Sequence, residues 1–177
     1  MERPSRSPLH LVSCIGGLGL ARGVAALLDV PLVSSEEVWF ACGEGKFVIN
    51  ENVRGGDVYV FQSPIGEGPR TVYDRFLMLL HAVEAAALSD AEHVTAVVPY
   101  FPGARQDKRK GRAREGISAG LFARCLQEAG ADRVVTVDIH NDAIAGMFDP
   151  HRCRLENVRL THRLASWLGR RGLSGQV

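Results

Sequence analysis

Short apolar runs alternate along the chain with longer segments in which apolar residues recur every three or four positions. The clearest helical stripe is carried by Val72, Phe76, Leu79 and Val83. Short valine-rich runs such as residues 134–137 are typical of buried strands. The pattern predicts strands over residues 9–14, 37–41, 46–50, 58–62, 94–99 and 134–137, and helices over residues 18–28, 71–88, 117–130 and 157–171.

Two polar signatures follow neighbouring strands of this pattern. Arg105-Gln106-Asp107-Lys108 comes just after the strand at 94–99, and Asp138-Ile139-His140 comes directly after the strand at 134–137. The helix between the two strands makes a right-handed crossover, which lays them parallel and usually as neighbours. Both signatures then leave the carboxyl edge of the sheet, where open α/β folds bind their ligands. The sequence therefore predicts an α/β fold with one convergent site.

Bulk composition narrows the class of protein. The 177 residues are enough for one well-buried domain, and the hydrophobic content of 46% suits a globular chain. The formal net charge of +1 gives no general attraction to nucleic acid or to an anionic membrane. The four cysteines form no C-x-x-C pair, and no apolar run approaches the ~18 residues of a membrane span. We expect a soluble cytoplasmic protein without a zinc site or a disulfide framework.

One local basic cluster follows the strand at 94–99. It consists of Arg105, Lys108, Arg109, Lys110, Arg112 and Arg114. Arg105 can hold phosphate oxygens with two parallel hydrogen bonds, and Gln106 can donate an amide hydrogen. A polyanionic ligand is the natural partner of this segment. The alternative is a solvated charged loop, and the sequence favours that alternative for the distal members of the cluster, Lys110, Arg112 and Arg114.

Asp138 and His140 are two positions apart at a strand end, so their side chains project to the same side. Magnesium prefers oxygen ligands, which favours Asp138 over His140 as the direct ligand and favours an outer-shell or phosphate contact for His140. Asp149 follows closely and could supply a further carboxylate. A loop histidine without a ligand remains the alternative for His140.

Phe40, Cys42 and Glu44 alternate in one predicted extended segment and would share one face. An aromatic ring and a carboxylate on one side could hold a purine, whereas a half-buried strand is the alternative. The glycines at 16, 17 and 19 do not form a dinucleotide-binding fingerprint because Arg22 stands where its third glycine is required. A tight turn between a strand and a helix explains them.

Several motifs together resemble ribose-phosphate pyrophosphokinase, the phosphoribosyl pyrophosphate synthetase family. They are residues 49–57 (INENVRGGD), 99–107 (PYFPGARQD), 114–119 (REGISA) and 136–140 (TVDIH). The resemblance covers essentially the whole chain but only the amino-terminal half of a typical family member. It implies a three-layer, parallel-sheet, phosphoribosyltransferase-like fold. The implied reaction is the conversion of ATP and ribose 5-phosphate, with Mg²⁺, to phosphoribosyl pyrophosphate and AMP.

The resemblance also assigns roles to individual residues. Arg105 and Gln106 match the family's ATP-contacting pair, and Asp138 and His140 match the segment that holds magnesium and the ATP phosphates. Phe40 and Glu44 match the adenine pocket, which family members lend to a neighbouring subunit, so the resemblance implies a homo-oligomer. The chain departs from the family at four places. Cys42 stands beside the adenine where the family has Asp or Asn, Gly116 replaces a proline, the loop at residues 108–114 is one residue longer, and either Cys153 or Glu156 occupies the second acidic position.

The family's ribose 5-phosphate loop has no counterpart in these residues. We therefore expect an ATP-site domain over residues 9–156 and, over residues 157–177, the first helix of a truncated second domain. The chain would then be inactive alone. We expect Leu164, Trp167 and Leu168 to be under-covered in a monomer, packed against a partner or poorly ordered. The alternatives are a non-catalytic regulatory or nucleotide-binding subunit that joins a full-length synthetase and, with less support, a nucleic-acid binder that uses residues 108–114.

Overall fold

Five parallel strands form the central sheet in a computed structural model that describes residues 7–66, 68–112 and 114–172. Their order across the sheet is β1-β4-β5-β6-β7. An antiparallel hairpin of β2 and β3 stands apart from this sheet. The strands are β1 (Leu9–Ser13), β2 (Ser35–Trp39), β3 (Gly45–Ile49), β4 (Asp57–Phe61), β5 (His93–Val97), β6 (Arg133–Val137) and β7 (Arg154–Val158).

Helices cover both faces of the sheet, as the three-layer prediction required. They are α1 (Leu18–Leu28), α2 (Val72–Leu88), α3 (Ser118–Glu128) and α4 (Thr161–Arg170). Alternation along β4 divides the two faces. Val58 and Val60 belong to the large core that includes residues of α2 and α3, whereas Phe61 packs with Ala21 of α1 in a smaller core.

Local chemistry explains where two elements begin. Thr71 caps α2: its hydroxyl accepts a hydrogen bond from the Asp74 N–H, and the Asp74 carboxylate accepts one from the Thr71 N–H. Gly17 lies in the turn between β1 and α1, where a Cβ would stand 2.5 Å from the carbonyl carbon of Phe61. That close backbone approach confirms that a tight turn requires glycine here.

The structure corrects the end of the chain. The helix predicted over residues 157–171 begins later, at Thr161, and β7 precedes it. The predicted domain boundary at 156/157 therefore falls inside an edge strand of the main sheet. The sequence pattern missed β7 because its side chains alternate only between exposed and half-buried, so pairing with β6 rather than a buried face defines it.

The apolar face of α4 is under-covered, which is one of the three outcomes expected for it. Leu164 is 56% exposed and Trp167 is 42% exposed, and no residue of α4 is buried. In the described part of the chain, no helix has both the length and the apolar character needed to cross a membrane. The four cysteines all carry free thiols; Cys42 is exposed, Cys125 is half-buried, and Cys14 and Cys153 are buried.

Candidate functional site

A cleft of about 180 Å³ lies at the carboxyl edge of β5 and β6. Its walls include Arg105 from the loop after β5, and Asp138 and His140 from the loop after β6. The register of the two parallel strands brings these loops side by side. The predicted convergence of the two polar signatures is therefore confirmed for these three residues.

The loop after β5 places Arg105 at the mouth of this cleft. Phe101 and Ala104 of this loop are buried, and Gly103 adopts a left-handed conformation with φ of +72°. The Gln106 N–H donates to the Gly103 carbonyl at 2.8 Å, which closes a turn. Arg105 is left exposed and, within the described ranges, makes no hydrogen bond or ion pair, so its guanidinium is available to a ligand.

The sequence predicted that Gln106 would line the site together with Arg105, but Gln106 is not part of the cleft wall. Its carbonyl accepts a hydrogen bond from the Ala119 N–H in the first turn of α3. Its exposed side chain is not among the groups that line the cleft. The backbone of Gln106 therefore joins the Arg105 loop to α3, while its amide stands beside the cleft.

The loop after β6 holds Asp138 in an unusual conformation. Asp138 has φ of +41°, which is uncommon for a residue other than glycine. Its N–H donates to the Val158 carbonyl at 3.1 Å, and its Oδ1 accepts from the Leu160 N–H at 3.2 Å. Contacts with the last residue of β7 and with the chain just after it therefore hold this strained turn, as is typical of functional sites. His140, two residues on, is exposed.

The side chains of the cleft suit a metal ion that takes most of its ligands from water or from a bound molecule rather than from the protein. Within the described ranges, no group of three or more His, Cys, Asp or Glu side chains is arranged to enclose a metal. Asp138 can offer one carboxylate, and Mg²⁺ usually combines one or two carboxylates with phosphate oxygens and water. Asp138, with His140 nearby, could therefore hold magnesium that shares its other ligands between phosphate oxygens and water.

The structure corrects the third predicted metal ligand, Asp149. Its N–H donates to the Gln127 side chain at the end of α3, and its Oδ1 accepts from the His151 N–H at 2.9 Å. This segment leads into the amino end of β7, at the opposite edge of the sheet from Asp138. A strand of five residues, about 17 Å long at ~3.3 Å per residue, separates the two edges. Asp149 cannot share an ion with Asp138.

Asp107 and Asn141 form a link that the sequence analysis missed. The Asn141 amide donates to Asp107 Oδ2 at 2.6 Å, although the residues lie 34 positions apart. The Asp107 side chain is only 7% exposed. The amide holds the pKa of Asp107 below its usual range; partial desolvation opposes this shift, and Lys108 and His140 reinforce it. The available signal in the sequence was that Asp107 is part of the first polar signature and that Asn141 directly follows the second.

The structure corrects the interpretation of Phe40, Cys42 and Glu44 as one extended face. They lie in the turn that connects β2 and β3, where the Phe40 N–H donates to the Glu44 carbonyl at 2.8 Å. Phe40 is 47% exposed. Chain reversal, rather than strand alternation, brings Phe40 and Glu44 together.

Glu44 belongs to a second and larger cavity, between the hairpin and α2. This cavity has a volume of about 600 Å³, and its walls include Trp39, Glu44, Asp74 and His81. It shares no lining residue with the cleft that contains Arg105. The predicted ATP-binding residues are therefore divided between a hairpin group and a cleft group.

The middle of β2 is tied to the chain just after β1. Glu37 accepts a hydrogen bond from the Ile15 N–H at 2.7 Å and another from Trp39 Nε1 at 3.1 Å. The Arg70 guanidinium lies 3.8 Å from the centre of the Trp39 ring. These contacts fix the direction in which the hairpin tip projects.

Part of the basic cluster folds back on its own loop. Arg109 Nε donates to the Glu115 carbonyl, and the Lys110 N–H donates to the Glu115 carboxylate at 2.6 Å. The Glu115 carboxylate offsets positive charge in the loop and lowers its attraction for a nucleic-acid backbone. Arg105, by contrast, lines the cleft.

Comparison with known proteins identifies similar chains. Residues 9–130 match the family model described as the N-terminal domain of ribose phosphate pyrophosphokinase. The ribose-phosphate pyrophosphokinase of Maricaulis maris is 43% identical over 141 residues, which cover 80% of this chain and 44% of that protein. The Mycobacterium tuberculosis protein of the same name is 45% identical over 130 residues, covering 73% of this chain and 38% of its own length.

A solved structure shows the same fold. The crystal structure of phosphoribosylpyrophosphate synthetase from Mycobacterium smegmatis superposes with a TM-score of 0.83 and 37% sequence identity, covering 92% of this chain and 52% of that one. The chain therefore spans about half the length of that solved protein, and less than half the length of these curated relatives.

Proposed function

We propose that this chain, which belongs to the ribose-phosphate pyrophosphokinase family, carries the ATP- and magnesium-binding half of a ribose-phosphate diphosphokinase. In the proposed reaction, the anomeric hydroxyl of ribose 5-phosphate attacks the β-phosphorus of ATP. A bond forms between the sugar oxygen and the β-phosphorus, and the bond between the β-phosphorus and the oxygen that bridges it to the α-phosphate breaks. AMP leaves with that bridging oxygen, and the hydroxyl proton is released. The observation that carries this proposal is the cleft shared by Arg105, Asp138 and His140.

Arg105 would bind the ATP phosphates. Its guanidinium is always charged and presents donors in a planar fork that matches phosphate oxygens. His140 would contact the same phosphates from the other side of the cleft, and the exposed Gln106 amide would extend the contacts outward. These groups would hold the β-phosphorus in position while the negative charge on its oxygens is neutralised.

Asp138 would hold magnesium together with the phosphates of ATP. Bound magnesium would neutralise charge on the phosphoryl oxygens of the transferring group. The hydrogen bond from the Leu160 N–H occupies Asp138 Oδ1 and leaves Oδ2 for the ion. Because Asp138 offers a single carboxylate, magnesium would bind weakly in the absence of nucleotide.

Phe40 and Glu44 would bind the adenine of an ATP molecule held in the cleft of another copy. Two observations support this arrangement: the hairpin tip is exposed, and its cavity is separate from the cleft. Homo-oligomerisation would then complete the ATP site. The homologous relatives are named as the kinase, which favours this role over that of a regulatory subunit.

Isothermal titration of MgATP into the purified chain tests the proposal. Arg105→Ala removes charge-assisted hydrogen bonds worth about 1.5–3 kcal/mol, so we expect binding to weaken by roughly 10- to 150-fold. Arg152→Ala is the matched control, because Arg152 pairs with Glu128 near the opposite edge of the sheet. Equal affinities of Arg105→Ala and the unmodified chain would reject the proposed site.

Two further measurements separate the parts of the proposal. Sedimentation of the same samples gives the oligomeric state, and dependence of MgATP affinity on protein concentration is expected if adenine is bound between copies. We expect no AMP formation from ribose 5-phosphate by residues 1–177 alone, because the family's sugar-binding loop has no counterpart in them. Turnover by this chain would contradict that expectation.

A further inference from the structure

We propose that the hydrogen bond between Asn141 and Asp107 is a clasp that positions the two sides of the candidate site relative to each other. This inference rests on the proposed function, because the site it positions is the ATP-binding cleft. Neither residue touches the ligand in this role; both are positioning residues.

Backbone pairing between the two loops ends before the site begins. The last ladder-like contacts are the Val98 N–H to the Val135 carbonyl at 2.8 Å and the Val137 N–H to the Pro99 carbonyl at 3.2 Å. Beyond Pro99 and Val137, the chains diverge into separate turns. Across the described ranges, the Asn141–Asp107 hydrogen bond is the polar contact that joins the two loops past this point.

The clasp is built with good geometry on both partners. Asn141 uses both ends of its amide: Nδ2 donates to Asp107 at 2.6 Å, and Oδ1 accepts from the Ala143 N–H at 3.0 Å. These two contacts fix the orientation of the amide. Asp107 is largely shielded from water. A hydrogen bond to a shielded carboxylate is stronger than one at an exposed surface.

The clasp lies next to the residues that it would position. Asp107 is two residues from Arg105, and Asn141 is adjacent to His140. Arg105 and His140 are exposed and would need a fixed separation to contact one triphosphate. A loop movement of about 1 Å is enough to misplace such groups.

Substitution of Asp107 separates positioning from simple electrostatics. Asp107→Ala removes a negative charge beside a polyanion-binding cleft, so charge alone predicts tighter MgATP binding. The clasp predicts the opposite sign, with binding at least about fivefold weaker, a typical coupling between linked elements. Asn141→Ala, which changes no charge, should weaken binding similarly. Glu128→Ala is the control, because it removes a negative charge far from the cleft, near the other edge.

The exchange variant Asp107→Asn/Asn141→Asp tests for rescue. It keeps the net charge and reverses the polarity of the hydrogen bond, so MgATP affinity should return to within about threefold of the unmodified chain. Amide hydrogen exchange without nucleotide gives a second readout: Asp107→Ala should speed exchange at residues 139–143, on the opposite loop. A merely local role of Asp107 would leave that loop unchanged.

The outcomes distinguish the clasp from the function on which it rests. If the unmodified chain does not bind MgATP, the proposed function fails, and the exchange rates at residues 139–143 still decide whether the clasp exists. If the unmodified chain binds MgATP but Asp107→Ala binds as well or better, the clasp is rejected. Unchanged exchange at residues 139–143 in Asp107→Ala also rejects it.

Discussion

A single methyl group added at Gly17 should damage this fold severely. Gly17 ends the turn between β1 and α1, and its N–H donates to the Cys14 carbonyl at 3.0 Å. An added Cβ would lie 2.5 Å from the Phe61 carbonyl carbon, 2.8 Å from the Gln62 nitrogen and closer still to the Phe61 carbonyl oxygen. All three atoms belong to the backbone at the end of β4, so rotation of a side chain cannot relieve the clash.

The cost of Gly17→Ala follows from this geometry. Overpacking a well-packed interior costs about 1–3 kcal/mol, and we expect the upper end because a sheet strand must move. The same shift would disturb the hydrogen bond from the Cys14 N–H to the Phe61 carbonyl. Loss of about 3 kcal/mol would lower the melting temperature by roughly 6–12 °C for a domain of this size.

Gly23→Ala is the matched control for this substitution. Gly23 lies in the middle of α1, and a Cβ there would meet no atom within 4 Å. Replacement of an exposed helical glycine by alanine should stabilise the protein by about 0.5–1 kcal/mol. Urea unfolding followed by circular dichroism should thus give shifts of opposite sign for the two variants. A Gly17→Ala variant as stable as the unmodified chain would refute the close-approach argument.

Two further predictions concern titratable groups. Hydrogen bonds to Thr71, first to its N–H and then to its hydroxyl, lower the pKa of Asp74 in the folded protein. The stabilisation by this carboxylate should therefore be present above about pH 4, and it should be lost as the pH falls through the lowered pKa of the folded state. The stability deficit of Asp74→Ala should therefore shrink under acid, and a deficit that does not depend on pH would contradict the capping contact. Burial raises the pKa of Cys153 to about 12 and that of Cys14 well above its usual value, whereas Cys42 is exposed. A thiol reagent at pH 8 should modify Cys42 first in the folded protein, and Cys42→Ser should remove the fast phase; a fast phase that survives this substitution would show that another thiol is accessible.

The sequence predicted much of the fold because strand and helix periods are local properties. The prediction for α1 matched its observed bounds, and α2 and α3 were located within one or two residues of each end. The shared position of Arg105 and Asp138 also followed from the sequence, since a right-handed crossover between parallel neighbours always returns to the same sheet edge. These conclusions needed no knowledge of side-chain contacts.

Residues whose environment depends on partners distant in sequence were harder to place. Asp149 is close to Asp138 along the chain, yet the connection from β6 to β7 carries it to the other edge of the sheet. The strand β7 has no buried face of its own and depends on pairing with β6. In such cases, distance along the chain and residue type carry little information about position in space.

The sequence by itself determined the parallel α/β framework, the edge where its polar signatures meet, and the family. Only the tertiary structure decided that Phe40 and Glu44 lie in a turn beside a separate cavity, and that Asn141 reaches across 34 residues to Asp107. The physical reason is the range of the interactions. Helix and strand periods arise between residues near in sequence, whereas clefts and clasps require the packing of loops whose relative positions are set by the whole sheet.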